Sequence, residues 1–416
     1  MKVWILQTGE PLHCDGGEPR PMRAMNLADA LVSRGHEVVI WSSAFYHQEK
    51  RSRSVRYQEI VVSERLAIRL VPSPGYSRNI GPGRLFDHLV LGRNLKRVLE
   101  SRRGERPDLI FVGFPPIETA SVMVKFAVDQ GVPVVVDAKD QWPDIFVEPL
   151  PAALRPFGRL LLWPYFRSAR RTFRRASAFC SMSDEFIDWM CMVAGRNRRP
   201  EDFPAALTAP ERRFPDGELQ DARVWWSARG VDLGHAKRAV FIGSFSAAFD
   251  FSVIASLART ALADGNPCQF VICGDGGDSS SAHGLLAGLQ NVVMPGWIDS
   301  PKIKVLYESS SALIAPYRSN DAFSRSIPNK ITDALSFGCA IISTLDGKTR
   351  DLVSSARIGR CSDDVPTLYD ELAKILGDDA YRSSMQSRAR DLYAERFRFD
   401  VVYGALVDRL VSLATR

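Results

Sequence analysis

The 416-residue chain has no run of about 18 apolar residues, so nothing in it reads as a membrane-crossing helix. Its most apolar short stretch, Leu160-Leu161-Leu162-Trp163, is bracketed by Arg159 and Arg167. Seven cysteines stand at 14, 180, 191, 268, 273, 339 and 361, with no C-x-x-C pair. An odd, dispersed set excludes a disulfide framework and reads as reduced cytosolic thiols. Six histidines form neither H-E-x-x-H nor a cluster, so no metal held by the protein is expected. The apolar stretch at 3–6 gives way at once to Gln7 and Thr8. That is too short for a signal-peptide core and reads as a buried first strand. No repeat of 20 to 50 residues and no low-complexity tract occurs.

What is present is ordinary globular material: 45% hydrophobic and 25% charged residues, enough length for two to three domains. The net charge of +6 is unevenly placed. Residues 1–220 hold 32 basic and 26 acidic groups and the remainder 22 of each, so the excess lies in the N-terminal half. Short apolar runs at 3–6, 37–41, 67–71, 109–112, 132–136 and 178–180 alternate with helical patterns at 22–34, 84–100, 118–130 and 157–175. The stretch 195–237, with Pro200, Pro204, Pro210 and Pro215, breaks the rhythm and reads as a connection with one short helix. Strands then recur at 239–242, 269–273, 291–294, 312–315 and 340–343, with helices at 251–262, 302–308, 329–337, 366–376, 381–395 and 401–413. Such alternation implies parallel sheets covered on both faces. The expected fold class is α/β, two doubly wound Rossmann-like domains facing across a cleft: 1–215, 216–395, and a closing segment 396–416.

Several strand exits carry candidate chemistry. The loop after the first strand holds Gly9, Gly16 and Gly17, followed by Arg20 and Arg23. A glycine-bearing strand-to-helix turn lets backbone amides approach an anion, although the G-x-G-x-x-G spacing of a dinucleotide site is absent. Asp137-Ala138-Lys139-Asp140-Gln141-Trp142-Pro143-Asp144 follows the 132–136 run, where open sheets take ligands. Gly274 and Asp275 lie in a second glycine turn, and Trp297 and Ile298 follow another strand; Trp297 suits either a nucleobase flank or the core. At 327–338, Pro328 or Asn329 opens a helix with Lys330 in its first turn and Asp333 one turn on. A cation there opposes the helix dipole unless an anion binds; a phosphate resolves the conflict, and the carboxylate suits a ribose diol. Residues 155–199 carry ten arginines and three acids, Asp184, Glu185 and Asp188, interleaved with aromatic and leucine side chains. That composition suits an anionic membrane surface, or else a solvated arginine face; no motif favours nucleic acid.

In this order the segments resemble the family-4 type (group 1) glycosyltransferases of the GT-B fold, over nearly the whole chain. Gly35-His36-Glu37-Val38 resembles the family's R-G-H-E-V stretch, and Asp140-Gln141-Trp142-Pro143 the D-x-W-P of a bacterial branch building surface polysaccharide. Gly243 matches the glycine opening the second domain's loop. Pro328-Asn329-Lys330 through Asp333 and Gly338 resembles the donor helix P-x-K-x-x-E-x-x-x-x-G. The chain departs at Asp333 (usually Glu), Arg325 (often Glu), Ser244 (often basic) and Lys139 (usually His or Arg). The resemblance implies a retaining, metal-independent transferase with a UDP- or GDP-linked sugar as donor, no further cofactor, and a lipid-linked or glycan acceptor. It implies a location at the cytoplasmic side of an anionic inner membrane. Catalytic roles fall on Asp140, Lys139 and Lys330. Donor contacts fall on Gly16, Gly17, Gly243, Ser244, Gly274, Asp275, Trp297, Ile298, Pro328, Asn329, Lys330 and Asp333, with Arg318 or Arg325 as further phosphate partners. Acceptor contacts fall on Arg20, Arg23 and Asp137, and 396–416 packs back on the first domain. An epimerase or hydrolase on the same scaffold, or a non-catalytic binding subunit, stays open at this point.

Overall fold

The computed structural model describes residues 1–16, 20–78, 81–234, 237–318 and 321–415, with backbone alone at 321 and 322. The chain divides into two compact units, Met1–Pro210 with Val402–Arg416, and Glu211–Val401.

The first unit is built on an 8-stranded sheet. From edge to edge its strands are Phe203–Pro204, Ala178–Ser181, Val134–Ala138, Leu109–Phe114, Lys2–Leu6, Glu37–Ser43, Leu66–Val71 and Gln58–Ser63. All neighbours pair in parallel except the last, which runs antiparallel against Leu66–Val71. The central strands are buried on both faces, as helix-covered parallel strands must be. Trp4 anchors one core layer, its ring 5.0 Å from Trp41 and 5.6 Å from Phe126. The last helix, Phe399–Ala414, adds Tyr403, Leu406, Val407 and Leu410 to the buried set. Asn26 Nδ2 donates to Tyr403 Oη at 3.4 Å, and Arg34 pairs with Asp408 at 2.5 Å.

The second unit carries a 6-stranded sheet: Val292–Gly296, Gln269–Cys273, Arg238–Ile242, Ala312–Ala315, Ala340–Ser343 and Gly359–Cys361. Every pairing in it is parallel. In each sheet the order turns back at the first strand, Lys2–Leu6 or Arg238–Ile242. The crevice past the C-terminal ends of strands at such a reversal is where open α/β sheets take ligands.

Three departures from the sequence reading matter. The strand expected at 132–136 is Val134–Ala138, which draws Asp137 into the sheet. The helix expected at 157–175 is two, Arg155–Leu161 and Trp163–Arg175, because Pro164 fits only a helix's first turn. The connection at 195–237 contains the edge strand Phe203–Pro204 as well as the helix Asp216–Ser227.

Candidate functional site

In the second unit three neighbouring strands end in register. Gly243 N–H donates to Cys273 O and Gly274 N–H to Gly296 O, each at 2.9 Å. The helix Asn329–Ser336 opens there behind Pro328, with no side-chain cap and no acid in its first turn. Lys330 reaches from that turn to the end of the first strand, and its Nζ donates to Ile242 O at 2.6 Å. The ammonium stands 4.3 Å from the Phe241 ring centroid and 4.5 Å from that of Phe249. Gly243 has a positive φ, and a Cβ on it would fall 1.7 Å from Lys330 Nζ; only glycine leaves room for the ammonium. One strand over, a Cβ on Gly274 would fall 1.9 Å from Gly243 O. Burial lowers the Lys330 pKa to about 7, against the attraction of Asp333. Near neutral pH the amine is therefore poised between its two charge states, and an anion beside it completes its protonation.

Around this seat the expected donor residues separate. Asp333 is half-buried; burial, then Asp333, raises the pKa of Tyr317. Ser244 and Asn329 are exposed, and Pro328 is partly buried. Asp275 is bound by its own turn, accepting from Ser279 Oγ at 2.5 Å and Gly276 N–H at 2.7 Å. Trp297 is 74% exposed, which removes it from the core, whereas Ile298 is buried. Arg318 pairs with Asp250 at 3.5 Å, and Arg325 is partly buried. Phe241 and Phe249, which flank the ammonium, carry no motif that marks them in sequence.

In the first unit, Lys139 and Asp140 follow the strand Val134–Ala138. Asp140 is exposed, yet the protein packed around it raises its pKa by desolvation, against the pull of Arg84 and Lys139. Lys139 makes a salt bridge with the buried Glu10 and stands 4.0 Å from Asp137 Oδ2. Glu10 Oε2 also accepts from Ala24 N–H at 2.9 Å, which ties the loop after the first strand to the start of the helix Arg23–Ser33. The sequence reading sets Arg23 and Asp137 at the acceptor; the structure puts both inside, 1% and 0% exposed. Arg23 Nε donates to Asp137 Oδ2 at 3.3 Å and its other nitrogens to Ala205 O and Ala206 O at 2.5 and 3.3 Å. Burial alone lowers the Arg23 pKa, but Asp137 and its neighbours outweigh that and raise it. This buried pair joins helix, central strand and the 205–206 segment beneath the loop. Gly16 and Arg20 are exposed, with open space where a Gly16 Cβ would stand; Gly17 lies outside the described residues. Glu10 is the residue that sequence reasoning passes over, since nothing local links it to Lys139, 129 positions away. Among the described residues no group of three His, Cys, Asp or Glu side chains is placed to hold a metal ion.

Two family descriptions match this chain. Residues 22–199 fit a glycosyl transferase 4-like domain, and residues 236–378 fit the glycosyl transferases group 1 domain. The chain belongs to the group 1 glycosyltransferases. No curated protein matches it in sequence. Its fold is that of solved GT-B glycosyltransferases. Anabaena HepE in complex with UDP is 13% identical, with 99% of each chain covered and a TM-score of 0.63. WaaG, a glycosyltransferase involved in lipopolysaccharide biosynthesis, is 14% identical over 99% of each chain, with a TM-score of 0.62. AviGT4, involved in avilamycin A biosynthesis, is 12% identical over 100% of this chain and 98% of its own, with a TM-score of 0.53.

The Arg23–Asp137 pair yields a stability prediction for this glycosyltransferase. Arg23→Ala leaves a carboxylate buried without its partner and should cost about 3–5 kcal/mol in denaturant unfolding. Replacing both, Arg23→Met with Asp137→Leu, should recover most of that loss. A single variant within about 1 kcal/mol of the parent would contradict the assignment.

Proposed function

We propose that the chain is a retaining, metal-independent glycosyltransferase. It moves a sugar from a UDP- or GDP-linked donor to a lipid-linked or glycan acceptor in the synthesis of a bacterial surface polysaccharide or lipopolysaccharide. The observation that carries this reading is the Lys330 ammonium held against side-chain-free Gly243 at the turn-back point of the second sheet. HepE, which has this fold, binds UDP and UDP-glucose.

In this mechanism the bond from the anomeric carbon to the donor diphosphate breaks as the acceptor oxygen bonds to that carbon on the same face. The acceptor's hydroxyl proton passes to the departing phosphate oxygen. Negative charge grows on the leaving diphosphate, where Lys330 and the first-turn amides of its helix meet it; a preorganised cation there lowers the barrier. Asp333 takes the ribose diol. Asp140 takes the acceptor hydroxyl, with Lys139 fixed beside it by Glu10.

Titration with UDP and GDP tests the donor assignment. Asp333→Ala removes charge-assisted hydrogen bonds worth about 1.5–3 kcal/mol and should weaken the preferred nucleotide tenfold or more. Asp140→Asn should leave nucleotide affinity and melting temperature near those of the parent, yet cut transfer by about 10²-fold. Unchanged affinity in Asp333→Ala, or near-normal transfer in Asp140→Asn, would remove that residue from its role.

We also propose that the enzyme works at the cytoplasmic face of an anionic membrane. No described helix is long and apolar enough to cross one. Leu154 is exposed, and the helices Arg155–Leu161 and Trp163–Arg175 that follow it expose Phe157, Leu160, Leu161 and Trp163, with Leu161 at 81%. These side chains line one apolar surface with Leu150 and Pro164. Arg155, Arg159, Arg167, Arg170 and Arg171 accompany it in sequence. Apolar side chains rimmed by cations are the composition of an interfacial helix, each cation adding about 1 kcal/mol near an anionic surface. Binding to anionic vesicles should fade as salt rises, and Phe157→Ser with Leu161→Ser should weaken it at all salts. Equal binding to neutral vesicles, or none at low salt, would refute it.

A further inference from the structure

A second cluster of cations and rings lies in the first unit, at the same end of the sheet as Asp140. It is assembled from four strand exits. His47 follows the strand Glu37–Ser43, and Tyr76 follows Leu66–Val71. Trp142 follows Val134–Ala138, and Gly9, past Lys2–Leu6, would bring a Cβ 3.9 Å from His47 Cβ. Lys50 and Arg84 bracket the Tyr76 ring at 4.8 and 5.8 Å, and Arg84 also stands 5.0 Å from the Trp142 ring. Tyr76 Oη and Lys50 Nζ lie 2.6 and 3.0 Å from His47 Nδ1. The Lys50 ammonium can only donate, so with Nδ1 as its acceptor a neutral His47 carries its proton on Nε2, as a donor.

We propose that His47, Lys50, Tyr76 and Arg84 form a phosphate seat that receives a phosphate or diphosphate group of the acceptor. This rests on the reading of the first unit as the acceptor side. Three features support a seat for an oxyanion. Arg84 occupies the first turn of the helix Pro82–Ser101, which has no acid there, and a cation at that position opposes the helix dipole. Lys50 holds a left-handed backbone, φ 54°, which a side chain disfavours and which gathers at ligand sites. His88, 4% exposed and packed 5.7 Å from Trp142 and 6.2 Å from Tyr76, has an Nδ1 with no partner among the described residues.

The electrostatics agree. Burial and then Arg84 lower Lys50; burial, Lys50 and Arg84 bring His47 down to about 4; burial, Arg84 and His47 bring His88 down to about 3. Each of these groups feels its charged neighbours as positive. The nearby carboxyls, Asp87 and Asp140, are both raised by burial against the pull of Arg84, and Asp87 already accepts from Gly75 N–H at 2.6 Å. A phosphate against Lys50 and Arg84 relieves that crowding and sets the acceptor next to Asp140.

Calorimetric titration of the full chain carrying Lys330→Gln, which removes the donor-side ammonium, isolates this seat. The probes are farnesyl diphosphate and, separately, inorganic pyrophosphate. Farnesyl diphosphate should bind, tighter than pyrophosphate. Arg84→Gln and Lys50→Gln should each weaken it about tenfold or more, and Arg84→Lys less. Affinity unchanged by both glutamine variants, or no binding, would overturn the proposal. Pyrophosphate binding as tight as farnesyl diphosphate would overturn its acceptor part and leave a site for free anions. Lys50→Gln keeps the test open if Arg84→Gln fails to fold. UDP binding to the chain with Lys330 restored should not change in Arg84→Gln. Absence of UDP binding there would count against the proposed function and not against this seat.

Discussion

Drawing an ammonium out of water is unfavourable, and the donor half is organised around the groups that make it tolerable. Lys330 finds one carbonyl, Ile242 O, and the faces of two phenylalanine rings. Burial disfavours the charged amine more than Asp333 favours it, and its pKa falls to about 7. Gly243 and Gly274 follow from this placement, since a side chain on the first would occupy the ammonium's position and one on the second would strike the first's backbone. The three strand exits, the helix opening at Pro328 and the two rings thus form one arrangement whose unsatisfied quantity is negative charge. On the proposed function a nucleoside diphosphate supplies it.

The first unit handles charge the opposite way. Arg23, Asp137, Lys139 and Glu10 pair among themselves, deep under the loop that follows the first strand. The network ties the loop to the strand Val134–Ala138 and to Lys139 just past it, and Asp140 next in sequence is exposed. Internal pairing here gives rigidity; the amine in the second unit is the group proposed to take an anion.

Much of this was legible in the sequence, for identifiable reasons. The helix at Asn329–Ser336 is bounded by Pro328 and Gly338, signals that the sequence carries without any structure. The two doubly wound sheets follow from alternating runs. Strand ends were harder to read: Val132 and Pro133 extend the apolar run, and a strand buried on both faces has no alternation to fix its limits. That two-residue shift moved Asp137 from an expected ligand contact into the core. Gln58–Ser63 escaped because it lies almost wholly exposed at the sheet edge, without a buried face to set a pattern. The helix Asp184–Ala194 had its signals, Ser183 as cap and Gly195 as stop, but lay within a stretch read for its charge. The pairing of Arg23 with Asp137, 114 positions apart, and of Glu10 with Lys139 follows only from topology.

The central claim is that the diphosphate binds against Lys330 and completes its charge. At about pH 8.5 a free amine of pKa about 7 is largely neutral, so UDP binding that raises this pKa must draw a proton from the buffer. UDP titrations in buffers of different ionisation enthalpy measure that uptake. The account predicts about one proton per UDP near pH 8.5, less near pH 6 where the amine is already charged, and none in Lys330→Met. UDP binding with no proton uptake near pH 8.5 would contradict it.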